Sequence, residues 1–159
     1  MTLEQAEAQD AADPLASYRA QFMCPAGVIY FDGNSLGQLP LATVQAGAEA
    51  ITQAWGERLI RGWNEGWIDA PQRVGAMIAP LIGAAPDEVI SADSTSVNLY
   101  KLIVAALRLD PKRNVVVSEA GNFPTDLHIA EGAVAAVAGA ELRIVERGAL
   151  AEALGDDTA

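Results

Sequence analysis

Basic residues and cysteine are scarce in this chain. Ten Lys and Arg stand against 21 Asp and Glu, a net charge of −11. Such a surface repels polyanions, so neither nucleic acid nor anionic lipid is an expected partner. The single cysteine, Cys24, excludes an internal disulfide, and together with the single histidine, His128, it is too little for a Cys/His zinc site. A reducing cytoplasm suits such a chain. No apolar run reaches the roughly 18 residues that a membrane helix needs. The stretch Met1 to Pro14 carries four acids and no Lys or Arg, the reverse of a signal or transit peptide. What remains is 159 residues that are 51% hydrophobic and 19% charged, with 14 Gly and 8 Pro. That balance describes a folded domain of typical size and excludes collagen, a disulfide scaffold and a disordered tail.

The sequence divides into an N-terminal segment, 1–83, and an α/β portion, 84–159. The Ala/Glu/Gln/Asp-rich start is expected to fray. Leu15, Tyr18, Arg19 and Phe22 then repeat at helical spacing, and this short helix ends before Pro25. The apolar run Val28 to Phe31 predicts a brief strand, and Asp32-Gly33-Asn34-Ser35 a tight turn. Val44, Ala48, Ile51 and Trp55 form one stripe of a helix that ends near Gly56. The stretch Ile60 to Asp69 follows neither period and reads as a loop, and Val74, Met77, Ile78 and Leu81 are helical again, with Gly83 as a stop. Beyond it, Glu88 to Ala92 reads as a strand, Ser96 to Leu107 as a helix, Asn114 to Ser118 as a strand, Pro124 to Ala138 as a helix and Leu142 to Val145 as a strand. This βαβαβ order implies a mainly parallel sheet, with Val115-Val116-Val117 buried on both faces. Ala149 to Leu154 is a further short helix, and the loop after it is of the kind that leads into another strand, so the sheet is expected to continue past this chain.

Chemistry concentrates at two loop-to-helix junctions. Asp93-Ser94-Thr95-Ser96 follows an expected strand and opens an expected helix, where free N–H groups, hydroxyls and the positive helix end meet. Such a point suits a phosphate and equally an ordinary N-cap. Phe123-Pro124-Thr125-Asp126 follows the next strand, at the sheet edge where open α/β folds bind ligands. Phe123 is able to stack on a flat ring and Asp126 to accept a hydrogen bond. A hydrophobic staple, Pro at the first helical position and a first-turn acid explain the same residues. His128 has no second ligand near it and reads as structural, and Cys24 has no basic neighbour to activate it.

The wording of four segments adds what periodicity does not. Tyr30-Phe31-Asp32-Gly33-Asn34-Ser35-Leu36-Gly37, Leu59-Ile60-Arg61-Gly62-Trp63-Asn64, Thr95-Ser96-Val97-Asn98-Leu99 and Asn122-Phe123-Pro124-Thr125-Asp126 occur in this order. In these segments the chain resembles the kynureninase family, nearer its bacterial form, from about Leu15 to Ala159. The resemblance implies the first βαβαβ part of the large domain of a pyridoxal-phosphate enzyme of the aspartate aminotransferase fold, fold type I. It implies a cytoplasmic homodimer that hydrolyses L-kynurenine or its 3-hydroxy form to the anthranilate and L-alanine, in tryptophan catabolism and pyridine nucleotide biosynthesis.

By that resemblance Thr95 and Ser96 hold the cofactor phosphate, Phe123 stacks on the pyridine ring, and Pro124, Thr125 and Asp126 complete the wall. Asn34, Ser35 and Trp63 lie near the substrate, in a site shared across a dimer interface. No catalytic residue is assigned. Pyridoxal phosphate needs a Schiff-base lysine. The chain's two lysines, Lys101 within a helix and Lys112 in a turn, are not placed like the family's. The expectation is an N-terminal portion of a kynureninase, inactive by itself. Two other readings stand beside it: a cysteine desulfurase-like lyase of the same fold, and a non-catalytic α/β binding module.

Overall fold

The computed structural model describes residues 1–159. The chain forms two compact units, Met1–Ala70 and Pro71–Ala159.

In the first unit the chain starts with an α-helix, α1 (Leu3–Ala12), where fraying is expected from composition. Its start explains the difference. Thr2 and Gln5 form a reciprocal capping box: the Gln5 N–H donates to Thr2 Oγ1 at 3.3 Å and the Thr2 N–H to Gln5 Oε1 at 2.9 Å. The expected helix after Leu15 is a 3-10 helix, Ala16–Gln21. Val28 to Phe31 is not a strand. The only bridge in this region joins Phe22 to Pro40, with the Met23 N–H donating to Leu39 O at 2.8 Å, and it closes the base of the loop instead. Val28 to Phe31 runs along that loop with no neighbour to pair with, and its side chains are exposed. Next comes α2 (Leu41–Glu49), which continues through wider π-helical turns over Ala50–Glu57. The stretch read as a loop holds a 3-10 helix, Leu59–Trp63.

The second unit carries the hydrophobic core: Ala79, Leu107, Val115, Ala130 and Ala133. It includes α3 (Ala70–Ile82), which the sequence grouped with the N-terminal segment. Helix α3 belongs here because the backbone of the segment after it lies directly on it. The Ser91 N–H donates to Pro71 O at 3.1 Å, and a Cβ built on Gly75 would fall 2.0 Å from Val89 O. The same contact corrects the strand expected over Glu88 to Ala92. That segment packs its backbone against a helix and has no ladder partner. Gly83, at φ +74°, ends α3 where a left-handed residue is needed.

Then follow α4 (Thr95–Leu109), β1 (Val115–Glu119), α5 (Pro124–Ala135), β2 (Glu141–Val145) and α6 (Leu150–Ala153). Strands β1 and β2 pair in parallel, Val115 opposite Glu141 through Glu119 opposite Val145. Helices α4 and α5 pack on one another. Asn114 fixes the start of the pairing: its Nδ2 donates to Gly139 O at 2.6 Å and its carbonyl accepts from the Glu141 N–H at 2.9 Å. The expected sheet of three strands is therefore a mixed α/β unit with a two-stranded parallel sheet. On the other edge of β1, Thr158 makes a single parallel bridge to Val115. Arg143 holds that last segment, donating to Asp157 Oδ2 at 3.0 Å and to Ala153 O at 3.3 Å. The bond to Asp157 raises the guanidinium's pKa above its ordinary value. No helix is long and apolar enough to cross a membrane.

Candidate functional site

The start of α4 is built from local hydrogen bonds. Ser94 is the N-cap, extended at φ −93° and ψ 163°, and its Oγ accepts from the Val97 N–H at 3.3 Å. The N–H groups of Thr95 and Ser96, the first two of the helix, have no partner in the chain. Two free N–H groups, two hydroxyls and the positive end of a fifteen-residue helix form a donor set suited to a phosphate. The residue before the cap, Asp93, sits at φ +46°, a left-handed conformation that Asp tolerates better than most residues. Sequence reasoning named Ser94 to Ser96 but missed what holds Asp93. Asn98 Nδ2 donates to Ala92 O at 2.6 Å, and the Lys101 ammonium pairs with the Asp93 carboxylate. The signal was present in the spacing of Ser94, Asn98 and Lys101, which share one helix face.

The second junction follows β1. Asn122 Nδ2 donates to Ser118 Oγ at 3.1 Å and its Oδ1 accepts from the Phe123 N–H at 2.7 Å, so the loop is tied to the strand it leaves. Phe123 precedes α5 with Pro124 at its first position, and its ring is 69% exposed, uncommitted to the core. Thr125 is exposed and Asp126 half-buried. A cleft of about 270 Å³ lies among α4, β1 and α5, lined by Leu99 and Ile103 of α4, Val116 to Ser118 of β1, and Asn122, Asp126 and Ala130. Ser96 precedes Leu99 by nearly one turn on that same face of α4. Of the candidate cofactor residues, Asp126 lines this cleft, and Thr95, Ser96, Phe123, Pro124 and Thr125 are not part of its lining.

The remaining candidates belong to the first unit. Asn34 and Ser35 are exposed in a turn closed by the Ser35 and Leu36 N–H groups, each 3.2 Å from Asp32 O. The Tyr30 hydroxyl crosses this turn, 2.6 Å from Leu36 O. Trp63 is half-exposed in an aromatic cleft of about 300 Å³ with Trp55, Leu59, Ile60 and Trp67. The loop is braced by Arg58, whose Nε donates to Glu65 Oε2 at 2.6 Å. That bond raises the Arg58 pKa and holds the Glu65 carboxyl below its usual range. Gly62 is buried beneath the Trp67 ring, where a Cβ would lie 3.4 Å from the indole and 3.1 Å from Ala54 O. His128, mostly exposed, meets only Glu131 at 3.4 Å. Cys24 donates to Gln38 Oε1 at 3.5 Å.

Along 99% of its length, the chain is 52% identical over 165 residues to the curated kynureninases of Burkholderia mallei (strain SAVP1) and Burkholderia pseudomallei (strain 1106a). Across nearly its whole length the chain is homologous to these kynureninases. To the kynureninase of Pseudomonas fluorescens it is 48% identical over 159 residues, 96% of the chain. It spans 40% of the Burkholderia proteins and 38% of the Pseudomonas protein. No family model matches the chain.

Proposed function

We propose that the chain is the N-terminal, cofactor-phosphate-holding part of a cytoplasmic, homodimeric kynureninase of fold type I. The whole enzyme hydrolyses L-kynurenine, or 3-hydroxykynurenine, to the corresponding anthranilate and L-alanine. The observation that carries this reading is identity of 52% to relatives of that name across nearly the entire chain. The donor set at the start of α4 supports the cofactor, because unpartnered N–H groups at a helix N-terminus match a phosphate dianion in charge and in hydrogen-bonding sense.

In this reading Thr95 and Ser96 bind the phosphate through their N–H and hydroxyl groups. Phe123, with its ring free of the core, stacks on the pyridine face, and Pro124, Thr125 and Asp126 form the wall beside it. Asn34, Ser35 and Trp63 contact the substrate. Bound pyridoxal phosphate supplies an electron sink for deprotonation at the substrate's Cα. The Schiff-base lysine comes from outside these residues. Lys101 is engaged with Asp93, and Lys112 lies in the turn after α4.

The test is direct. A full-length kynureninase carrying these residues, given pyridoxal phosphate and L-kynurenine, is expected to form anthranilate and alanine in equal amounts. The 159-residue chain alone is expected to release none. Anthranilate fluorescence from the chain alone would place a catalytic lysine within it and overturn the assignment. Equal failure of both proteins with kynurenine would favour a lyase of the same fold.

A further inference from the structure

We propose that Lys101 and Asn98 are positioning residues for the phosphate-binding start of α4, with Lys101 cancelling the charge of Asp93 beside it. The inference rests on the cofactor reading above and assigns roles that the reading does not contain. Ser94, Asn98 and Lys101 recur at i, i+4 and i+7 on one face of α4, and side chains on a helix lean toward its N-terminus. Asn98 therefore reaches back past the cap to Ala92 O, at 2.6 Å, and Lys101 reaches the Asp93 carboxylate. Between them they hold the two residues ahead of the cap, including the left-handed Asp93 at φ +46°. That backbone path leaves the Thr95 and Ser96 N–H groups open to a ligand.

The charge at Asp93 otherwise opposes this purpose. A carboxylate one residue before the cap lies within about one Debye length of an anion bound to the first helical turn, so it acts on that anion with little screening. Pairing with an ammonium replaces a full negative charge by a dipole, whose field falls off faster. The pair is exposed, at 60% for Lys101 and 40% for Asp93, so its effect on the stability of the fold is slight. Its effect on a phosphate is the larger consequence.

Apo-protein of a full-length kynureninase carrying these residues is titrated with pyridoxal phosphate and, separately, with pyridoxal, which lacks the phosphate. Lys101→Met is expected to weaken pyridoxal phosphate binding about three-fold, more at low salt, and to leave pyridoxal unchanged. Lys101→Arg restores the parent preference. Asp93→Asn combined with Lys101→Met removes both charges and also restores it. Asn98→Ala lowers the preference for the phosphorylated ligand by loosening the turn. A Lys101→Met protein that loses both ligands equally, or neither, overturns the proposal, as does a double variant that stays defective. Thr95→Ala with Ser96→Ala tests the underlying reading by itself: if that pair leaves the preference intact, the start of α4 is not the phosphate site, whatever Lys101 does.

Discussion

Two Gly→Ala substitutions in the second unit should shift stability in opposite directions. Gly75 lies inside α3 and Gly132 inside α5, and at either position Ala improves intrinsic helix propensity by about 0.5–1 kcal/mol. Around Gly132 nothing lies within 4 Å of a new Cβ, so Gly132→Ala is expected to stabilise by about that amount. At Gly75 the new atom would fall 2.0 Å from Val89 O, 2.5 Å from Val89 C and 2.9 Å from Ile90 Cα. These are backbone atoms, which no change of rotamer can move aside. Segment 88–91 and α3 must separate, weakening the bond from the Ser91 N–H to Pro71 O, worth about 1 kcal/mol. Overpacking of this kind costs roughly 1–3 kcal/mol, so the propensity gain is outweighed and Gly75→Ala is expected to destabilise by about 1–3 kcal/mol. Urea unfolding followed by circular dichroism compares the two variants with the parent. A Gly75→Ala protein with an unchanged or raised midpoint would refute the close packing of α3 on residues 88–91.

Two further outcomes follow from the ion pairs. The hydrogen bond from Arg58 depresses the Glu65 pKa below 4.5, so its stabilising contribution is present above that pH and is lost as pH falls through the lower folded value. Glu65→Gln should therefore flatten the thermal-melting profile between neutral and strongly acidic pH, and an unchanged profile would count against the pair. Arg143→Met should release the Asp157–Ala159 segment from β1. Faster amide exchange at Ala159 and Val115, whose N–H groups reach Val115 O and Asp157 O, measures this, and unchanged protection would show that Arg143 does not hold the segment.

Much of the fold was legible where periodicity and burial coincide. The stripe Val44, Ala48, Ile51 and Trp55 does mark a helical stretch, and Val115 to Val117 does form a strand, although only Val115 is buried in the core and Val116 and Val117 stay half-buried. The failures share a cause. Val28 to Phe31 and Glu88 to Ala92 have the composition of strands, but a strand is a property of a pair, and no local pattern reports whether a partner is present. Helix α1 was missed because it has no apolar face to detect; Thr2 and Gln5 were its only signal, a capping box three residues apart. The candidate site divides in the same way. Ser94 to Ser96 are readable as a cap, and Phe123 to Asp126 as a helix start. The backbone angle of Asp93 and the reach of Lys101 across eight residues depend on the folded loop, which composition does not encode.

The parallel pairing of β1 bears on how this part of the molecule is made. Its neighbours are β2, beyond α5, and Thr158, beyond α6, so neither edge can be completed by the residues next in sequence. Each contact closes a long loop before it returns any stabilisation, which slows acquisition of the sheet relative to a helical bundle of similar size. During synthesis Val115 to Glu119 leaves the ribosome first and waits, unpaired, until α5 and β2 have followed it. Helices α4 and α5, which pack on one another, are then the elements available to shelter the strand in that interval.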